Sequence, residues 1–245
     1  VVLSGVNVDT PGQNTGALFG KTTNGVLTID GLRMQNVTVS STGNQVGLVG
    51  GWLNGTSVSI SDLSIDELSS IVSSGATGAL MGSTGRGAVT ASDGRFAGSI
   101  STTNINATGG LVGTAGSNGN GSVRFERVEI TDTASVQGGG GETGGIVGLL
   151  SGSGFIENSL ARASIDGSPS GGLVGKIDGN GVLSVTDSYT VADFASGCSG
   201  CGAIVGDSNG SVSFTDVVWD KEETTNVSAT VGTISGGTVS GTSVS

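Results

Sequence analysis

The residue types that carry most enzyme chemistry are sparse in this chain of 245 residues. It contains no His and two Cys, and its nine Lys and Arg residues face 20 Asp and Glu residues. Without His there can be no Ser-His-Asp or Cys-His nucleophile site, no HExxH zinc site and no other His-based metal centre. The net charge of −11 argues against nucleic acid and anionic membrane surfaces as partners.

The two cysteines are close together in the sequence, as Cys198-Ser-Gly-Cys201. In an oxidising compartment such a pair forms a disulfide, and we predict one that closes this loop. A thioredoxin-like redox site would need a strand–helix–strand context, and a zinc site would need two further Cys or His ligands. The sequence offers neither, so the predicted role of the pair is structural.

Acidic residues cluster in three places where oxygen ligands for calcium could meet. The clusters are Asp62, Asp66 and Glu67; Asp178 with Asp187; and Asp216, Asp220, Glu222 and Glu223. None matches the D-x-D-x-D-G calcium loop or the GGxGxD nonapeptide repeat. We therefore predict a solvated acidic surface, with calcium as the weaker alternative and no other cofactor.

Six Asn-x-Ser/Thr sequences are candidate N-glycosylation sites, and occupied sites would mark surface positions. The competing explanation is that Asn-Gly turns followed by Ser or Thr create such sequences by coincidence. The six candidates are Asn36, Asn54, Asn106, Asn120, Asn209 and Asn226.

Two further functional classes leave weak traces. A polysaccharide-acting enzyme needs paired carboxylates, usually beside basic or aromatic side chains. Trp52, Tyr189 and Trp219 are the only Trp and Tyr residues, the basic residues are scattered, and no carboxylate pair recurs on one face beside a basic cluster. An ice-binding face would need Thr-x-Thr at the same place in successive repeats, and the Thr residues do not recur in this way. We predict that the protein is not an enzyme and keep both classes as minor alternatives.

An internal sequence repeat indicates which secondary-structure elements position these residues. Gly accounts for 48 residues, yet 35% of the chain is hydrophobic, which argues against disorder. A block of small, apolar, apolar and Gly residues occurs seven times at intervals of 27 to 35 residues. Its closing glycines are Gly20, Gly50, Gly82, Gly113, Gly148, Gly175 and Gly206.

A second block, often entered by Asn-Gly, follows each closing glycine and alternates apolar with polar residues, as in Val58/Ile60 and Val123/Phe125. Alternation of this kind indicates half-buried strands, and the Asn-Gly pairs predict left-handed corners. We predict an all-β, right-handed parallel β-helix of about seven coils with about 31 residues per repeat. A β-sandwich or barrel is the alternative. One predicted interior ladder is Leu18, Leu48, Leu80, Leu111, Ile146, Leu173 and Ile204.

These blocks resemble the GLUG motif, a G-L-hydrophobic-G repeat found in tandem in bacterial surface and secreted proteins. The resemblance runs from Gly16 to about Glu223 and includes Val217-Val-Trp-Asp, which is similar to the YWD sequence that often closes such arrays. It implies extracellular scaffolding or adhesion. The motif also occurs in some immunoglobulin-A-cleaving proteases, but their peptidase activity needs His and does not carry over.

We divide the chain into one solenoid domain, residues 1–226, and a Ser/Thr/Gly/Val-rich strand-like tail, residues 227–245. Because the chain begins without Met, it is either a processed mature protein or a fragment. Neither end carries an obvious cap, and uncapped β-helices expose backbone groups that pair with another chain. We therefore expect a secreted structural protein that forms an extracellular filament or surface layer by head-to-tail strand addition. The alternative is a repeat segment of a cell-surface adhesin that binds glycans or a host surface.

Overall fold

The computed structural model describes residues 1–104, 106–117 and 121–244. These residues form 34 β-strands that pair in parallel, and they include no α-helix. Accordingly, no helix that could cross a bilayer is found among them.

Each coil of the chain contributes up to five short strands. In a central coil these are Val112–Ala115, Ser122–Glu126, Glu129–Ile130, Ser135–Gln137 and Thr143–Gly144. Each strand pairs with the equivalent strands of the coils before and after it, so five stacks run along the solenoid. The first three stacks form one continuous sheet of 21 strands, and the fourth and fifth form sheets of seven and six strands.

The strands are as follows. The first stack holds Met81–Thr84, Val112–Ala115, Val147–Leu150, Val174–Ile177, Val205–Ser208 and Val231–Ile234, and the first halves of Phe19–Asp30 and Gly50–Ser61. The second stack holds the second halves of those two strands, Ala88–Ser92, Ser122–Glu126, Ser153–Glu157, Val182–Thr186, most of Ser211–Trp219, and Thr238–Val244. The third stack holds Val2–Ser4, Arg33–Gln35, Ser64–Ile65, Arg95–Phe96, Glu129–Ile130, Leu160–Ala161, Tyr189–Thr190 and the end of Ser211–Trp219. The fourth stack holds Asn7–Thr10, Thr38–Ser41, Ser70–Ser73, Ser99–Thr102, Ser135–Gln137, Ser164–Asp166 and Asp193–Phe194. The fifth stack holds Asn14–Gly16, Gln45–Gly47, Ala76–Gly78, Thr108–Gly109, Thr143–Gly144 and Ser170–Gly171.

The core is built from apolar columns that run through the stacked coils. The alternating residues of the second block occupy one column, in which each side chain lies directly against its equivalent in the next coil. No coil could bury these side chains alone, so each depends on its neighbours. This confirms the predicted parallel β-helix with a spacing of about 31 residues. The buried members of the column are Ile60, Ala91, Phe125, Ile156, Val185 and Phe214.

The first stack has eight members, so the solenoid has about eight turns. The additional turn comes from the residues of the tail, where Val231–Ile234 pairs with Val205–Ser208 and Thr238–Val244 pairs with Ser211–Trp219. In this register Gly232 lies beside Gly206. This coil lacks the repeat motif because Thr230 stands where the other coils have Leu, Ile or Val.

The alignment of the second coil differs from the sequence-based one by a single residue. Phe19 and Met81 both pair with Gly50, so Gly51, not Gly50, is equivalent to the other closing glycines. Leu48 likewise leaves the predicted ladder, and Val49 takes its place. The reason is packing, since a Cβ on Gly50 would lie within the ring of Phe19, which occupies that space.

Motif glycines are required because backbones approach closely at the corners. At Gly113 a Cβ would lie 2.4 Å from the amide nitrogen of Thr77 in the fifth stack. Positive φ angles are needed elsewhere: Asn24 and Gly55 adopt 57° and 71°, as the Asn-Gly pairs predict. At the later pairs, which begin at Asn180 and Asn209, neither residue has a positive φ. The left-handed corner predicted there is wrong.

Candidate functional site

The predicted disulfide partners lie together at the corner between the sixth and seventh coils. Cys198 and Cys201 form a disulfide and have their Cα atoms 5.8 Å apart. Cys201 packs against the hydrophobic core, just before the strand that begins at Val205. The bond therefore closes one surface loop onto the solenoid wall.

Five of the six candidate glycosylation residues lie in the part of the chain that the structure describes. Asn36 is exposed, and Asn54 and Asn209 are half-buried. Asn106 and Asn226 are also exposed, but their carboxamide nitrogens donate hydrogen bonds to the carbonyl oxygens of Ser74 (2.8 Å) and Phe194 (2.6 Å). The sixth candidate, Asn120, lies outside the described residues.

Two of the acidic clusters accept hydrogen bonds from backbone amides of nearby turns. Asp66 accepts hydrogen bonds from the amide of Asn36 at 3.1 and 3.2 Å and from the Ser69 hydroxyl at 2.7 Å. Asp220 accepts the amides of Glu222 and Glu223 at 2.9 and 3.1 Å. Within the part of the chain that the structure describes, no three acidic or Cys side chains are arranged to hold a metal ion.

Asp62, Asp187 and Asp216 belong to a different feature, a column of left-handed residues at the corner between the second and third stacks. Short polar side chains tolerate this conformation best. The φ angles of its members are 45° to 55° for Asp62, Asp93, Arg127, Asn158, Asp187 and Asp216.

Arg127 places a cation among the carboxylates of this column. Its guanidinium bonds both oxygens of Asp93, at 2.7 and 3.0 Å, and also contacts Glu126. The hydrogen bonds from Arg127 hold the pKa of Asp93 below its usual range. All three side chains are substantially exposed, so the cluster relieves like-charge repulsion more than it adds stability.

The structure forms a cleft of about 410 Å³ at the corner between the third and fourth stacks of the later coils. Its walls carry an arginine, three carboxylates and a phenol from three successive coils and the loop that follows Trp219. We call it the Tyr189 cleft, and its lining residues are Asp132, Arg162, Ser164, Tyr189, Val191, Asp193 and Glu223.

Hydrogen bonds and burial set the electrostatics of the Tyr189 cleft. The Tyr189 hydroxyl donates to Asp220 at 3.2 Å, and burial together with this carboxylate raises the pKa of the phenol. The amides of Glu223 and Glu222 lower the pKa of Asp220. Tyr189 is therefore a stable donor and Asp220 a stable acceptor at neutral pH, an arrangement suited to binding polar groups.

Sequence reasoning missed the Tyr189 cleft because it sought carboxylates on one repeated face. Asp132, Asp193 and Glu223 are far apart in sequence, and each occupies a different place in its coil. They meet around Arg162 only because a corner brings two stacks together. The one available signal was Tyr189, the single Tyr of the chain.

Comparisons of the chain with protein-family models, with curated proteins and with solved structures find no match.

Proposed function

We propose that this protein is a non-catalytic structural subunit of an extracellular filament or surface layer, whose β-helices stack head to tail. The observation that carries the proposal is the chemistry of the two end coils. Among the described residues, both offer strand edges without a partner strand, together with exposed apolar side chains.

The edge of the first coil is a set of backbone groups without a partner strand among the described residues. Val26 occupies the position that Ser122 holds in the fourth coil, and the Ser122 amide donates to the Gly87 carbonyl of the preceding coil. By equivalence, the Val26 amide points to the open side of the first coil. At the other end, the Thr238 amide donates to Gly210 of the preceding coil. Because N–H groups alternate along a strand, the Val239 amide points to the open side.

Apolar exposure at the two ends supports the same contact. Val26 is 82% exposed and Leu18 is 44% exposed at one end, and Ile234 is 56% exposed at the other. Strand edges flanked by exposed apolar side chains are templates for pairing with another chain. Stacking a second copy would bury Leu18 and Ile234 in continuation of interior columns, whereas Val26 would extend an outward-facing column in which Val182 remains 51% exposed.

Charge favours a head-to-tail contact. Residues 1–61 contain two acidic and two basic side chains, whereas residues 180–245 contain seven acidic and one basic. Two acidic ends would repel each other, while an acidic end and a neutral end would not. Parallel pairing requires the same polarity, and such a heterologous contact does not close, so it builds a filament.

The Cys198–Cys201 disulfide supports an extracellular location, because disulfides persist in oxidising compartments. The non-catalytic part of the proposal predicts no turnover in a polysaccharide-degradation screen. Turnover that Arg162→Ala abolishes would contradict it.

Electron microscopy and sedimentation of the purified chain over a range of concentrations test the assembly. Fibres about one solenoid wide, formed above a critical concentration, are expected. Val26→Glu should raise that concentration, most strongly at low salt, because it places a negative charge opposite the acidic end. Val182→Glu is the matched control, since Val182 is 51% exposed in the same column but lies in the middle of the stack. Monomers at every concentration would contradict the proposal and favour the adhesin-segment alternative.

A further inference from the structure

A second cleft, of about 390 Å³, lies on the lateral wall of the first four coils, between the fifth and first stacks. It is distant in sequence from the Tyr189 cleft and differs from it in composition. Its volume falls within the range of small-molecule sites. We call it the Trp52 cleft, and its principal residues are Asn44, Gln45, Trp52, Ser83, Asn106 and Thr114.

Trp52 forms one wall of the Trp52 cleft. It lies in an outward-facing column between Lys21 of the preceding coil and Ser83 of the following coil. The Lys21 ammonium nitrogen lies 4.4 Å from the centroid of the Trp52 ring, over one face. Lys21 does not line the cleft, which extends from Trp52 toward Ser83. Lys21 thus covers one face of the indole, and Trp52 also lines the cleft.

Hydroxyl groups form the floor. Ser83 lies on the outer surface of the sheet but is only 3% exposed, and its hydroxyl donates to the Ser117 hydroxyl at 3.5 Å. Thr114 follows in the same column of the next coil. These hydroxyls can both donate and accept hydrogen bonds.

Carboxamides form the opposite wall. The Asn106 carboxamide nitrogen donates to the Ser74 carbonyl at 2.8 Å, which fixes the side chain and leaves its oxygen as an acceptor. The Asn44 and Gln45 carboxamides make no hydrogen bond to any described residue. Each therefore keeps a donor and an acceptor for a ligand, in the planar geometry that matches two adjacent hydroxyl groups.

This combination determines the class of ligand. Every lining residue of the Trp52 cleft is uncharged, whereas the Tyr189 cleft carries three carboxylates and an arginine. The C–H groups on one face of a pyranose carry partial positive charge and are attracted to the negative face of an indole. We infer that the Trp52 cleft binds an uncharged oligosaccharide, with one sugar stacked on Trp52 and its hydroxyls bonded to Gln45 and Asn44.

The inference does not depend on end-to-end assembly. The Trp52 cleft opens on the side of the solenoid, so it stays accessible both in a monomer and in a filament of stacked copies. Assembly and sugar binding can therefore fail independently, and the variants that test them lie in different places.

Isothermal titration calorimetry with neutral oligosaccharides of glucose, mannose, galactose and xylose tests the inference. Oligomers of uronic acids serve as charged comparators. At least one neutral series is expected to bind and the uronates not to bind. Trp52→Ala should weaken binding by about tenfold or more, and Gln45→Ala by several-fold. Tyr189→Phe, in the Tyr189 cleft, is the matched control and should leave the affinity unchanged.

Tryptophan fluorescence gives a second reading without any variant. The only other Trp, Trp219, is buried far along the chain, so a sugar-dependent change in emission reports on Trp52. Should Trp52→Ala fail to fold, Trp52→Phe keeps an aromatic wall and should retain weakened binding. No affinity for any neutral series, or equal affinity in the Gln45 and Trp52 variants and the wild type, would overturn the inference.

Discussion

Replacing the corner glycine Gly144 by alanine gives the most direct test of the packing described above. A Cβ at this position would lie 2.0 Å from the Val147 carbonyl oxygen, 2.7 Å from the Gly175 amide nitrogen and 2.9 Å from the Leu173 carbonyl oxygen. All three are backbone atoms, so no flexible side chain can move aside. Since such contacts are not shorter than about 3.0 Å in proteins, the corner has to open by about 1 Å.

The cost follows from the energetics of overpacked cores, where each forced insertion typically destabilises by about 1–3 kcal/mol. Because the Cβ of Gly144→Ala meets backbone from its own corner and from the next coil, the upper end applies, about 3 kcal/mol. The matched control is Gly179→Ala, where no atom lies within 4 Å of the added Cβ and φ is not positive. That change should stabilise by about 0.4–1 kcal/mol, because alanine restricts the unfolded chain.

Thermal unfolding followed by circular dichroism measures the difference. For a protein of this length, each kcal/mol shifts Tm by about 2–4 °C. Gly144→Ala should therefore unfold roughly 7–16 °C below Gly179→Ala. Equal midpoints for the two variants would show that the corners are looser than the structure has them and that packing does not require glycine in this column.

Three further outcomes are expected. Spectrophotometric titration of Tyr189, the only tyrosine, should have a midpoint above 10, and Asp220→Asn should lower it; a midpoint at or below 10 would contradict the cleft geometry. Because its folded pKa is raised, the contribution of Tyr189 to stability is complete below about pH 10 and is lost as pH rises through the folded value. Reducing the Cys198–Cys201 disulfide should cost about 2 kcal/mol because its loop is short, measured as a lower Tm; an unchanged Tm would show that the loop holds without it. Val239→Pro removes an edge amide that no described coil uses, so it should raise the critical concentration for assembly by about 2- to 12-fold with Tm unchanged; unaltered assembly would place the contact elsewhere.

The fold was predictable because each coil repeats the same physical demand. Buried Leu, Ile and Val must recur wherever a column passes, and Gly must recur wherever two corners touch, so both leave a periodic trace in the sequence. The periodic pattern mispredicts the alignment where a large side chain in one coil is matched by a glycine in the next. Gly50 closes the motif by sequence, yet Gly51 is the structural equivalent of the other closing glycines because the ring of Phe19 fills the space beside Gly50.

The two clefts could not be predicted from the periodic sequence pattern. Spacings of 35 and 27 residues on either side of Gly148 show that the corners change length, and corner length decides where two stacks enclose a groove. Trp52 and Tyr189 stood out as rare residues, yet nothing in their local sequence indicates that Asn106 lies opposite one or Arg162 beside the other.

Pairwise complementarity between neighbouring coils also bears on how the chain finds its register. A solenoid of similar repeats can fold with a coil skipped, because each strand would find an acceptable partner one repeat further along. In such a slip Phe19 would meet Met81 instead of Gly50, and Asp93 would face Asn158 instead of Arg127. Two bulky side chains would then compete for one space, and a carboxylate would lose its cation. The positions at which coils differ from one another thus make each coil fit only its own neighbours. They allow a repetitive chain to have a single native register of coils.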